Sequence, residues 1–289
     1  MGAIEDIILD RDRRGIAQLR AHLPDDFCDQ AAGLILERPG RVLIGTGFYI
    51  LGAGAPETDG PPGALFLGQA LQALGYSVTY VTDRYSAFLF QGLASPDSVV
   101  EFPVVDDEAS ERYARLLLAR LKPSVVVAIE RCGMTASRRY LNMRGVDITE
   151  YTARLDSLVL HHKATIGIGD GGNEIGMGNL AEHIPLVPSL PREPNTTRVS
   201  HLVIASVSNW GAYGLAAALS LRQAQNLLPA PEREEEVIRH MVDRGAVDGI
   251  EVRPVYGVDG FSLEENRETL ERLHALLRRH RLGKPLRSS

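Results

Sequence analysis

Short runs of β-branched and aliphatic residues recur along the chain. Each is too short for a helix and too apolar for a strand with one wet face. Arg41 to Phe48, Ser77 to Thr82, Ser124 to Ile129, Ala164 to Gly169 and His201 to Val207 are of this kind. Strands buried on both faces are what a parallel sheet demands. The stretches between them carry helical periodicity, which predicts helices over 63–74, 108–121, 149–162, 210–227, 231–244 and 263–281. Pro61 and Pro62 suit a first helical turn, and Gly75 a helix end. Shorter strands are expected at 99–105 and 250–255, and a long loop over 49–63. Strand, helix, strand in repetition implies right-handed crossovers. The expected fold class is therefore α/β, a mainly parallel sheet with helices on both faces in a Rossmann-like three-layer arrangement.

Residues 1–36 read as an N-terminal helical segment packed on a single α/β catalytic domain, 37–289. Ile7, Ile8, Ile16, Leu19 and Leu23 recur among Asp and Arg, and Asp25 and Asp26 open a second helix through Leu36. This segment is expected to serve packing or homo-oligomer formation and to carry no chemistry. The tail 282–289 is expected to fray.

In an open α/β sheet the loops after the strands converge on one crevice. Here those loops offer Glu57 and Asp59, then Asp83, then Glu130, then Asp147, then Asp170 and Glu174. Clustered carboxylates repel one another unless a cation or ammonium group neutralises them. Oxygen donors without cysteine point to Mg2+ or Mn2+ rather than zinc. The metal is expected on Asp170, Glu174 and Asp83. Asp59, Glu130 and Asp147 are the expected acid–base groups. Arg131 or Arg144 suits a bidentate grip on a substrate carboxylate, with Glu57, Asn142 and Asn173 completing the substrate contacts. His183 is the nearest imidazole and is read as structural.

The last of these loops is the most unusual. Between Gly167 and Gly178, six of twelve residues are glycine, and Asp170, Asn173 and Glu174 supply its polarity. Gly167, Gly169 and Gly172 fit G-x-G-x-x-G, but the two acids sit where a pyrophosphate wants bare N–H groups. No lysine follows as in a phosphate-binding loop, so no nucleotide is expected. Three readings stand on the residues alone: a metal-assisted enzyme, a nucleotide-dependent enzyme, and a non-enzymatic module binding an amino acid or a cation.

Net charge of −6 argues against a nucleic-acid surface. Cys28 and Cys132 form no disulfide framework. Acidic residues follow Met1 where a signal peptide would be basic, and no apolar run spans a membrane. A small-molecule substrate, no nucleic acid, no membrane and a cytoplasmic setting are expected.

Four strings extend the reading. They are Gly45-Thr46-Gly47-Phe48 with Ala55-Pro56-Glu57-Thr58-Asp59-Gly60-Pro61-Pro62-Gly63, then Ala128-Ile129-Glu130-Arg131, then Asn142-Met143-Arg144-Gly145-Val146-Asp147-Ile148, and Gly167 to Gly178. In this order they resemble the D-glutamate cyclase family over roughly 40–215. The resemblance implies a hydro-lyase that converts D-glutamate to 5-oxo-D-proline with loss of water. One departure stands out: the family continues Glu-Arg with Pro-Gly-Arg, whereas this chain has Cys132-Gly133-Met134.

Overall fold

The structure is a computed structural model that describes residues 2–283 and Pro285. Six strands form one wholly parallel sheet: β1 (Arg41–Thr46), β2 (Ser77–Thr82), β3 (Val99–Glu101), β4 (Val125–Ile129), β5 (Thr165–Gly169) and β6 (His201–Ile204). Their spatial order is β3-β2-β1-β4-β5-β6. The chain runs outward from β1 to one edge, returns, and runs outward from β4 to the other. The reversal between β1 and β4 leaves a crevice at their carboxyl ends.

Side chains alternate across each strand. Val42, Ile44, Val125, Val127, Ile129, Ile166 and Ile168 face one layer of helices. That layer holds α1 (Ala3–Ile8), α2 (Phe27–Leu36), α3 (Pro61–Ala73), α6 (Ser208–Gln223), α7 (Pro231–Asp243) and α8 (Leu263–Arg279). Leu43, Val81, Val126 and Ala128 face α4 (Asp107–Leu121) and α5 (Asp156–Leu160) on the other side. The fold is the expected α/β class with helices on both faces.

Several local expectations fail for tertiary reasons. The helix expected over 149–162 is a 3-10 turn, Thr149–Tyr151, followed by the five-residue α5. Ala153 lies between them because its C=O accepts from Arg131 at 2.7 Å and its N–H donates to Asp83 at 3.4 Å. The strand expected at 250–255 is a turn wound around the buried Asp248 carboxylate, which accepts N–H groups from Ile250, Glu251 and Gly260. The loop 49–63 contains a small antiparallel hairpin, Tyr49–Ile50 with Ala55–Pro56. The glycine stretch itself ends in a single 3-10 turn, Met177–Leu180. Of the tail expected to fray, Leu282 packs on the core, and Lys284 and Leu286–Ser289 lie outside the described residues.

The contact that sets the crevice is a reciprocal cap between α3 and α6. The first turn of a helix leaves backbone N–H groups without partners. In α6, the N–H groups of Ser208 and Asn209 donate to the two oxygens of Asp59 at 2.9 and 2.8 Å. In return Asn209 Oδ1 accepts from Gly60 and Gly63 at 3.0 and 2.8 Å. Pro61 and Pro62 have no N–H to satisfy, so one side-chain oxygen suffices for that end of α3. Glycine is required at 63, where a Cβ would lie 2.9 Å from Asn209 Oδ1 and 3.0 Å from Ala212 Cβ. Replacing Asn209 with Ala strands the buried Gly63 donor and leaves the Gly60 N–H with Asp59 Oδ1 alone. Urea unfolding should show a loss of about 2–3 kcal/mol with an unchanged m-value; a change below about 0.5 kcal/mol would mean the cap is not a stabilising contact.

Candidate active site

A pocket of about 230 Å3 opens at the crevice. Glu57, Glu130, Asp259 and Arg14 lie in its lining, with Asn142, Met143, Arg144 and Asn173 on one wall. Phe48, Tyr49 to Gly52 of the hairpin, and Gly249, Ile250 and Val252 complete it. Glu130 follows β4 in a left-handed backbone conformation, φ 43°, unusual for a residue with a side chain and common at functional turns.

Asp59, Glu130 and Asp170 each offer a carboxylate oxygen, and the three atoms lie within 4.8 Å of one another. All three residues are buried, as are the neighbouring Glu57 and Asp259. Against these five carboxylates stands one guanidinium. Arg14 donates to Asp170 at 2.5 Å and pairs with Asp259 at 2.7 Å. Ser208 Oγ donates to Glu130 Oε2 at 2.6 Å. The amino-terminal ends of α3 and α6 also abut Asp59, and their dipoles favour negative charge there.

These neighbours do not offset the loss of water. Burial pushes the Asp59 carboxyl up to about 7, and Asp259 adds to the rise. The N–H groups of Asn209 and Ser208, with Arg14, oppose it. Burial also lifts Glu57 and Glu130 well above the usual carboxylate range, helped by Asp259 and Asp59 at the first and by Glu174 and Glu57 at the second. Asp170 rises well above it too, through burial, with Arg14 working in the opposite direction. For Arg14 burial disfavours the charge, yet Asp170 and Asp259 raise its pKa well above the ordinary value.

Of the three residues expected to ligate a metal, only Asp170 lies in the triad. Asp83 is spent on a buried ion pair with Arg131 at 2.6 Å. Glu174 folds back on its own loop, accepting N–H groups from Asp170, Gly171 and Gly172 at 3.0, 2.5 and 2.7 Å. These are the donors a phosphate would use, so the loop is closed by its own anion. Glycine at 167 permits this, because a Cβ there would lie 2.5 Å from Ile175 O.

Asp59 and Glu130, expected as acid–base groups, join Asp170 instead. Asp147 is exposed and caps the Thr149 N–H at 2.9 Å, away from the cluster. Arg131 cannot reach a ligand, since its guanidinium also donates to Gly47 O and Ala153 O. Glu57, Asn142, Arg144 and Asn173 do line the pocket. Arg144 is exposed and forms no ion pair among the described residues. Asn173 Oδ1 is buried without a partner. His183 stacks on His22 with ring centroids 3.6 Å apart. Cys132 is buried, its thiol pushed up by burial and donating to Leu141 O at 3.3 Å, which is an inert setting.

Three residues escaped the sequence reading: Arg14, Asn209 and Asp259. Asp259-Gly260 is a turn signal between short apolar runs and was legible as a loop. Nothing local distinguishes Arg14 from Arg11 and Arg13.

The donor set fits a hard divalent cation, because three buried carboxylates converge and Asp170 Oδ2 has no hydrogen-bond partner. Protons are the alternative neutralisers, and this fixes the sign of a pH effect. A carboxyl whose folded pKa is raised stabilises the fold fully below its unfolded value, and that stability is lost as pH rises through the folded value. For Asp59 the window runs from the ordinary 3.8 to about 7. Glu234 on α7 is also pushed up to about 7 by burial and contributes in the same direction. The metal-free protein should therefore melt at lower temperature at about pH 8 than at about pH 5, and saturating Mn2+ should shrink that difference. A melting temperature that climbs across the window in chelator would contradict the arrangement.

Residues 4–274 match a family described as D-glutamate cyclase-like, C-terminal. Over 212 residues the chain is 35% identical to the mitochondrial D-glutamate cyclase of Homo sapiens. That match covers 65% of this chain and 34% of the human protein, so the chain spans about a third of the relative's length. An exopolyphosphatase-related protein from Bacteroides fragilis superposes on 88% of the chain and 57% of its own, at 9% identity and a TM-score of 0.44, which is too slight to bear on fold or function. No helix among the described residues is long and apolar enough to cross a membrane. With its four motif strings around one acidic pocket and the match over 4–274, the chain belongs to the D-glutamate cyclase-like C-terminal family.

Proposed function

We propose that the chain removes water from D-glutamate to give 5-oxo-D-proline, a carbon–oxygen lyase reaction assisted by Mg2+ or Mn2+. One observation carries the reading: Glu57, Glu130 and Asp259 line a pocket together with Arg14 and with Arg144, which has no ion pair among the described residues, and the buried Asp59 and Asp170 converge on Glu130. Such a group of acids attracts an ammonium group and a divalent cation, and Arg144 suits a carboxylate.

Asp59, Glu130 and Asp170 would hold the ion. When bound, it would polarise the γ-carboxylate and stabilise the oxyanion that develops there. The protein's own part is positioning and proton transfer. Arg144 grips the α-carboxylate, and Asn173 Oδ1 accepts from the ammonium. This brings the α-nitrogen and the γ-carbon of one molecule together, where orientation supplies much of the rate. Glu57 lines the pocket and accepts no hydrogen bond from any described residue. Its raised pKa brings its basicity nearer to that of an amine. It takes a proton from the ammonium, the freed amine attacks, an N–C bond forms and one C–O bond of the γ-carboxylate breaks. The two protons shed by nitrogen leave with that oxygen as water, so no other reactant is needed.

A nucleotide-dependent reaction is disfavoured because the N–H groups of Asp170, Gly171 and Gly172 are occupied by Glu174. Turnover of D-glutamate, followed by appearance of 5-oxo-D-proline before and after chelation, tests the enzyme reading. Asp170→Asn should lose on the order of 100-fold or more in kcat/KM while keeping its fold. Cation binding without turnover would leave a binding module, and full activity in metal-free buffer would remove the ion from the mechanism. Arg144→Ala should raise KM roughly tenfold or more with kcat little changed, the size of a lost charge-assisted contact. An unaltered KM would place the α-carboxylate elsewhere.

A further inference from the structure

The segment Asp10 to Gly15 is a strap whose outer side chains fasten it to the carboxyl-terminal part of the chain. Arg13 donates to Gly260 O at 2.8 Å, pairs with Glu265 at 3.1 Å and lies over the Phe261 ring at 3.7 Å. Asp10 pairs with Arg272 at 2.5 Å, and Arg11 pairs with Glu268. Within the strap, the Asp12 carboxylate accepts N–H groups from Arg14, Gly15 and Ala17 at 2.9, 2.8 and 2.9 Å. Ser189 Oγ donates to Arg14 O at 2.5 Å. The Arg14 backbone is thus fixed on both sides, and its side chain alone of the strap's arginines turns into the pocket.

There it joins two acids from distant parts of the chain. Asp170 Oδ1 and Asp259 Oδ2 are both held by Arg14, while Asp170 Oδ2 is left without a partner. Asp170 begins a run of glycines, and repulsion from Asp59 and Glu130 would turn an untethered carboxylate away from them. Charge is not scarce in the cluster; orientation is.

We propose that Arg14 is a positioning residue of the site: by fixing Asp170 and Asp259 it leaves the second Asp170 oxygen presented, with Asp59 and Glu130, to a divalent ion. This rests on the metal reading given above and adds a role for a segment whose other ion pairs and hydrogen bonds fasten it in place. Partners that orient metal-binding side chains typically change affinity by about 10- to 100-fold when removed. Lysine would restore the charge but not the fork that spans two carboxylates.

The test is calorimetric titration of the full chain with Mn2+ alone, with circular dichroism and thermal melts as controls for folding. Arg14→Ala should bind Mn2+ about 10- to 100-fold more weakly than wild type, with Arg14→Lys intermediate. Arg13→Ala, which loosens the strap at Glu265 and Gly260 without touching Asp59, Glu130, Asp170 or Asp259, should stay within about twofold of wild type. If Arg14→Ala does not fold, Arg14→Gln replaces it in the comparison. A folded Arg14 variant that binds as tightly as wild type, or an Arg13→Ala variant that loses as much, overturns the assignment and leaves the metal reading intact. Failure of the wild-type chain to bind Mn2+ overturns the metal reading itself and the assignment with it.

Discussion

Asp59 serves the fold and the site with the same two oxygens. It accepts the first N–H groups of α6, and it stands within ligand distance of Glu130 and Asp170. Asn209 returns the contact to α3. The two helices therefore start at one point, beside the reversal between β1 and β4, with their positive ends toward the acids. Moving either helix would unsatisfy buried donors on both, which is why the crevice has a defined shape before anything binds in it.

The cluster built on that point is electrostatically incomplete. Buried charges persist when paired, and here one arginine meets five carboxylates. The imbalance is expressed as raised pKa values at Glu57, Asp59, Glu130 and Asp170, each with burial as its first cause. Groups of this kind gather where chemistry requires them. The same pocket also carries the exposed Arg144 on its wall, so acidic and basic groups line one cavity.

Two other buried charges are fully matched, and they shape the walls instead. Arg131 and Asp83 pair at 2.6 Å, and together they hold Ala153 and Gly47. Glu174 satisfies three N–H groups of the glycine loop. In both cases a residue that looks functional from its place after a strand is consumed in fixing the loop on which its neighbours act. The Cys132-Gly133-Met134 departure sits beside this framework, with Cys132 buried against Leu141 O and Gly133 N–H on Asn173 O.

The sequence by itself determined the layers and the location of the site. Runs such as Val125 to Ile129 are buried on both faces because a parallel sheet between helices leaves no wet side, and that periodicity is local. Carboxylates after successive strands were legible for the same reason, since parallel strands place all their carboxyl ends together. What only the tertiary structure decided is which of those carboxylates converge: Asp59, Glu130 and Asp170 bring one oxygen each within 4.8 Å of one another. Asp83, Asp147 and Glu174 are drawn aside instead, to the Arg131 guanidinium, the Thr149 N–H and the N–H groups of the glycine loop. Arg14 and Asp259 come from opposite ends of the chain, more than two hundred residues apart. No spacing rule joins them, because their contact depends on how the amino-terminal strap and the Asp248 turn close over the sheet rather than on any property of their own segments.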